Sequence, residues 1–178
     1  MQVTRRATVA AEVYLAAGER YYLEDMRVGQ RFRSGAHLLD AQQIKDFAKQ
    51  FDPQPFHIDE GAAKATFFGA LVASGWHTAA ITMRLLVDGG APIAGGVIGR
   101  NIEIKWPRPT RAGDVLSVES EIIEVLPSPS HPNRGVIVVR TETRNQRGEI
   151  VQIMTSKLQV MRRLDADLER EEPNVSLS

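Results

Sequence analysis

The spacing of apolar residues divides the chain into a helical part and a later part rich in strands. Gln30 to Leu39 can form a strand. Ile44, Phe47, Ala48 and Phe51 then recur at helical spacing, which predicts an amphipathic helix from Asp40 to about Gln50. Asp40 suits the N-cap, with Gln43 three residues later as in a capping box. Asp52-Pro53-Gln54-Pro55 breaks this helix, because each proline disfavours helical geometry at the residue before it. Asp59 can cap a second, short helix over Glu60 to Ala65. Ser74-Gly75 opens a third helix that runs to about Val87 and ends at Gly89-Gly90. That helix carries few charges on any face, so it should be largely buried.

After Gly95 the period changes. Val97 to Trp106, Val115 to Leu126, Gly135 to Asn145 and Ile150 to Met161 are rich in Val, Ile and Thr, and read as strands. Pro127 to Pro132 forms a longer loop, and Asn145-Gln146-Arg147-Gly148 a hairpin turn. Consecutive strands imply a mostly antiparallel sheet, and an apolar helix must pack on it. The expectation is an α+β hotdog fold, with one long buried helix wrapped by a curved antiparallel sheet.

Composition narrows the classes. The chain has 178 residues, enough for one domain that buries most of its apolar surface unaided. The predicted organisation is an N-terminal extension over 1–20, a domain over 21–164 and a polar tail over 165–178. Ala11 to Ala17 could add a short helix to the extension, whose Glu12 and weak apolar stretch argue against a signal peptide. Lys plus Arg equals Asp plus Glu at 22 each, so no overall charge draws the protein to nucleic acid or an anionic membrane. There is no cysteine, which rules out a thiol nucleophile, a thiolate metal site and a disulfide framework. No apolar run approaches the length of a membrane span. These features fit a cytoplasmic protein.

Two segments carry candidate chemistry. Asp52 and His57 lie on a proline-stiffened loop just past a helix, where they could polarise one water and pass a proton. Gly75 should present a free amide at a helix N-terminus, where the dipole stabilises negative charge and the missing side chain lets a substrate approach. That is what an oxyanion site for a thioester enolate needs. Each residue alone also has a structural reading. Asp before Pro is a common turn former, a loop histidine is often solvated, and Gly after Ser is common at helix starts. Among the other histidines, His77 on the third helix reads as a hydrogen-bonded core or interface residue, and His37 and His131 match no carboxylate pattern. A metal site built on Asp52, His57, Asp59 and Glu60 fits none of the familiar ligand spacings, so no metal is expected.

Taken together, the stretch from Tyr21 to Leu164 resembles the MaoC-like dehydratases, which include the (R)-specific enoyl-CoA hydratases. The family's Gly-Asp-x-Asn-Pro, aliphatic residue and His correspond to Phe51-Asp52-Pro53-Gln54-Pro55-Phe56-His57. Its later His-Gly pair falls on Ser74-Gly75 without a gap, and its strand–turn segment on Trp106-Pro107-Arg108-Pro109 with Ala112-Gly113-Asp114. The resemblance implies hydration of a trans-2-enoyl-CoA, or the reverse dehydration, within fatty acid metabolism. It assigns Asp52 and His57 to the catalytic water and the Gly75 amide to the thioester carbonyl. Ser74, Gln54, Phe56 and Trp76 become candidate substrate-binding residues. It implies a homodimer, and no cofactor beyond the coenzyme A of the substrate. Arg100, Lys105, Arg108 and Arg111 are candidates for its phosphates. The family's glycine, asparagine and aliphatic residue are replaced by Phe51, Gln54 and Phe56, and its helix serine falls at Met83, beside Thr82. These changes point to an altered acyl pocket shaped by Phe56, Trp76 and Met83. A hotdog thioesterase, or a binding or partner subunit without turnover, would share much of this pattern.

Overall fold

The computed structural model describes residues 19–163. The helix expected over Ala11 to Ala17 and the tail over 165–178 lie outside them. A 3-10 turn at Leu23–Asp25 leads into strand β1 (Arg31–Leu39). Helices α1 (Ala41–Phe51), α2 (Pro55–Ile58), α3 (Glu60–Lys64) and α4 (Gly75–Gly89) follow, then β2 (Ile98–Lys105), β3 (Asp114–Pro127), β4 (Arg134–Arg144) and β5 (Ile150–Met161). All strand pairs are antiparallel, in the order β1-β3-β4-β5-β2. The sheet is open and α4 packs on it, chiefly against β1 and β3. This is the α+β hotdog arrangement.

Local chemistry explains the boundaries. The Asp40 side chain accepts the Gln43 amide at 2.8 Å, satisfying one of the orphan donors of α1. Gln43 does not close the reciprocal half of a capping box. Its side-chain amide donates to Leu38 O and Asp40 Oδ2, and its Oε1 bonds His37. Asp59 caps α3 by accepting the Ala62 amide. At the end of α4 the Gly90 amide reaches Leu86 O at 3.0 Å. A Cβ on Gly90 would lie 2.5 Å from that same carbonyl, so close approach selects glycine here.

Two expectations change. The segment read as a loop contains a one-turn helix, α2, because Pro55 at its first position is pre-set for helical φ and lacks only an amide that needs no partner there. In addition, α4 is buried along one face only. His77, Thr78, Ile81, Thr82 and Leu85 are covered, whereas Trp76, Ala80, Arg84 and Val87 are exposed. Few charges did not mean full burial, since this single chain supplies just one covering layer.

Two apolar clusters fill the inner face. Leu39, Ile44, Ile81, Leu85, Leu116 and Val118 join α1 and α4 to the sheet, and Tyr21, Leu23, Ile122, Ile137 and Leu158 join the 3-10 turn to it. Each such fully buried aliphatic side chain contributes roughly 1.5–3 kcal/mol.

The sheet's two edges differ. β1 is broken by a register shift between Arg33 and Ala36, and Arg31 and Arg33 pair with Glu121 and Glu119 across to β3. β2 is exposed along almost its whole length, including Ile98 and Ile102.

Candidate active site

Asp52 is the C-cap of α1, and its amide still bonds Ala48 O at 2.9 Å. Its own carbonyl accepts the Gln54 amide at 2.7 Å, which tightens the chain into Pro55 and α2. His57 lies two residues along this turn, and its Nε2 faces Asp52 Oδ2 at 3.4 Å. The two side chains are 5% and 18% exposed, so the pair sits at a covered but reachable spot. His57 Nδ1 lies 2.7 Å from the carbonyl of Val72. A carbonyl only accepts, so Nδ1 carries the proton, and in the neutral ring Nε2 presents its lone pair towards Asp52.

The start of α4 supports the carboxylate. Ser74 caps the helix by accepting the Trp76 amide at 3.2 Å. Its hydroxyl also bonds Asp52 and is the largest influence holding that carboxyl below its ordinary pKa. Gln54 and the neighbouring His57 act in the same direction, and burial opposes them. Gln54 donates to Asp52 Oδ1 at 2.7 Å. Asp52 is therefore a carboxylate at neutral pH. Ser74 and Gln54, expected to touch substrate, both have protein partners and orient the acid.

Gly75 is the first residue of α4, so its amide has no intrahelical acceptor. The Trp106 indole packs directly against it. A Cβ on Gly75 would lie 2.8 Å from Trp106 Cε2. Trp106 Nε1 in turn donates to Gln152 Oε1 at 2.8 Å, and Gln152 Nε2 donates to Thr82 Oγ1 at 3.0 Å. Thr82 gives its proton to Thr78 O, so the Thr143 hydroxyl, 2.6 Å away, must donate to Thr82. This chain of bonds fixes the ring that packs against Gly75. In the sequence this network shows only as a tryptophan at a strand end and a strand threonine, Thr143.

Farther along α4, Met83 and Leu86 face β-sheet residues including Ile122, Val139 and Leu158 across an open, mostly apolar cavity. Met83 is thus a wall of the cavity, as expected. Phe56 and Trp76 are outside its lining. Phe56 packs on Phe68 with ring centroids 5.2 Å apart, and Trp76, 63% exposed, meets the edge of Trp106.

The remaining candidates separate. Arg111 is committed to Phe68 O and Lys105 pairs with Glu103, whereas Arg100 and Arg108 are exposed and make no ion pair among the described residues. His77 stacks on Phe47 at 4.5 Å, with its Nδ1 buried and without a partner among the described residues, so stacking stands where a hydrogen bond was expected. Burial, helped by the nearby His37, lowers its pKa to about 4. Among the described residues no His, Asp and Glu cluster could hold a metal ion, and no helix is long and apolar enough to cross a membrane.

The model of the MaoC like domain matches residues 25–144. The chain belongs to the MaoC-like family. It is 54% identical to a MaoC-like dehydratase from Rhodospirillum rubrum, with a TM-score of 0.80 over 82% of this chain and 99% of that one. It is 27% identical to a 3-hydroxybutyryl-CoA dehydratase of Methylorubrum extorquens over 60% of this chain and 66% of the relative. An (R)-hydratase of Pseudomonas aeruginosa shares the fold, with a TM-score of 0.62 and 24% identity over 88% of this chain and 96% of that one. Family and relatives place the chain generally among hydratases and dehydratases.

Proposed function

We propose that this MaoC-like protein adds water across a trans-2-enoyl thioester of coenzyme A, or removes it from the 3-hydroxyacyl thioester. The pairing of Asp52 with the bare Nε2 of His57 carries the reading. Both atoms are hydrogen-bond acceptors when Asp52 is ionised and His57 neutral. They repel each other unless protons lie between them. A water that donates one O–H to each supplies those protons and keeps a lone pair free for attack.

The reaction then balances on this chain's own groups. The water oxygen bonds to C3 of the enoyl group as the dyad takes one of its protons. The C2–C3 π electrons move towards the thioester carbonyl, where the Gly75 amide and the α4 dipole stabilise the developing enolate. The dyad returns one proton to C2, so a net water has added. Which member acts as acid at each moment is a property of the coupled pair. Coenzyme A enters as part of the substrate, with Arg100 and Arg108 available to its phosphates.

Crotonyl-CoA tests this directly. Loss of enoyl absorbance with formation of 3-hydroxybutyryl-CoA is expected. Release of free thiol from saturated acyl-CoAs, with the alkene of crotonyl-CoA left untouched, would make the protein a thioesterase instead.

We also propose a homodimer joined along β2. That edge exposes backbone polar groups beside Ile98 and Ile102, an arrangement proteins rarely leave open. Light scattering at micromolar concentration should give twice the chain mass, and a monomer would refute it.

A further inference from the structure

The apolar cavity contains one feature that an alkyl chain does not explain. Its sheet wall runs in cross-strand rows. Val139 pairs with Ile122 on one side and Ser156 on the other, and Ser156 pairs with Ile102. The adjacent row is Ser120, Thr141 and Met154. Ser120, Thr141 and Ser156 all line the cavity. Ser120 and Thr141 share a hydrogen bond at 3.1 Å, which uses one of their two protons and leaves the other free. Ser156 is only 2% exposed, and its Oγ has no partner among the described residues.

A buried hydroxyl without a partner costs free energy that an alanine would avoid. Three hydroxyls on adjoining rows of an otherwise apolar wall therefore mark a polar spot facing the cavity. Among the described residues no charged side chain lines that space. A carboxylate or ammonium would enter it uncompensated, at a large desolvation cost. A neutral oxygen meets no such penalty, and Ser156 can donate to it or accept from it.

We propose that the cavity takes an acyl chain bearing an uncharged oxygen, such as a hydroxyl or keto group, and that Ser156 is the residue that recognises it. This rests on the hydratase reading, and adds to it that the cavity beyond Gly75 receives the acyl part of the thioester. Met83 lies eight residues beyond Gly75, which is about 12 Å along the helix axis at its usual rise. The recognised oxygen is therefore remote from the reacting double bond, towards the far end of a medium-length chain.

Calorimetric titration separates this inference from the hydratase reading, because binding needs no turnover. Saturated acyl-CoAs of matched length are compared, one plain and the others with a hydroxyl or keto group stepped along the chain. At one position the oxygenated ligand should bind wild type about tenfold more tightly than the plain one, the usual size of one buried hydrogen bond. Ser156→Ala should abolish that preference and leave plain-chain affinity unchanged or improved. Since the replaced hydroxyl has no partner, the variant should fold normally, which thermal unfolding checks. Plain chains that bind at least as well at every position would overturn the inference, as would a Ser156→Ala effect equal on both ligands. Hydration of plain enoyl-CoA measured alongside reports on the other reading. A binding preference without hydration refutes the hydratase alone, and hydration without a preference refutes this inference alone. No binding of any acyl-CoA refutes both.

Discussion

The two ends of α4 solve different problems. At its N-terminus, Asp52, Gln54, His57 and Ser74 are locked to one another and to the main chain, and Trp106 is braced against Gly75 through Gln152 and Thr82. Toward its C-terminus, Met83 and Leu86 face an open space whose wall holds a hydroxyl with nothing to bond. The first end is pre-organised, which the proposed hydration needs if charge is to develop there with little rearrangement. The second has unsatisfied capacity, which is what selectivity requires when the site must still distinguish ligands.

The sharpest break in this comparison comes from the dyad. Asp52→Asn and His57→Ala should each reduce hydration of crotonyl-CoA by about 10²–10⁴-fold, with acyl-CoA affinity by calorimetry nearly intact. The double variant should be hardly slower than either single one, because groups acting as a unit are not additive. Activity that survives both changes would remove them from the mechanism.

Gly75→Ala should come next. Its Cβ would press into the Trp106 ring, and overpacking of this kind costs roughly 1–3 kcal/mol. Urea unfolding should show the loss, together with slower hydration. In a Trp106→Phe background the same change should cost less. An unchanged penalty there would mean the ring does not set the glycine.

At the other end, Met83→Ala removes part of a wall. It should shift kcat/KM towards longer or bulkier enoyl-CoAs by about tenfold, the usual worth of a methylene or two in an apolar pocket. If chain-length preference stays put, Met83 does not bound the acyl site.

The smallest effect expected is in acid. The Asp52 pKa is lower folded than unfolded, so the stability it contributes is complete above the unfolded value, about 4. That contribution is lost as pH falls through the lower folded value. The stability gap between wild type and Asp52→Asn should therefore narrow below about pH 4 in denaturant titrations. A gap that stays constant to lower pH would mean the carboxylate is not held by its Ser74 and Gln54 bonds.

Much of the framework was legible because its signals are local. Helix α1 announced itself by apolar period and by Asp40, and each late strand by its Val, Ile and Thr. The closeness of Asp52 to His57 and the place of Gly75 at a helix start were legible through spacing, since sequence neighbours on rigid turns stay neighbours in space. What was hidden depends on strand register and on segments distant in sequence. The Val72 carbonyl meets His57 through a main-chain atom that any residue would carry. Trp106 reaches Gly75 from 31 positions away. Ser156 reads as one more small strand residue until its pairing with Val139 and Ile102 turns it inward. Helix α4 misled for a related reason, because a sequence does not say how many layers will cover a face.

The hydrogen bond from His57 to the carbonyl of Val72 has an evolutionary side. A carboxylate holding the imidazole could be lost by a single codon change, and with it the orientation of the ring. A main-chain carbonyl is preserved by almost any substitution that leaves the backbone in place. Substitutions at Met83 and at the hydroxyls of the cavity can therefore reshape that space while the orientation of His57 is inherited intact. One scaffold can diversify in substrate without having to rediscover its chemistry.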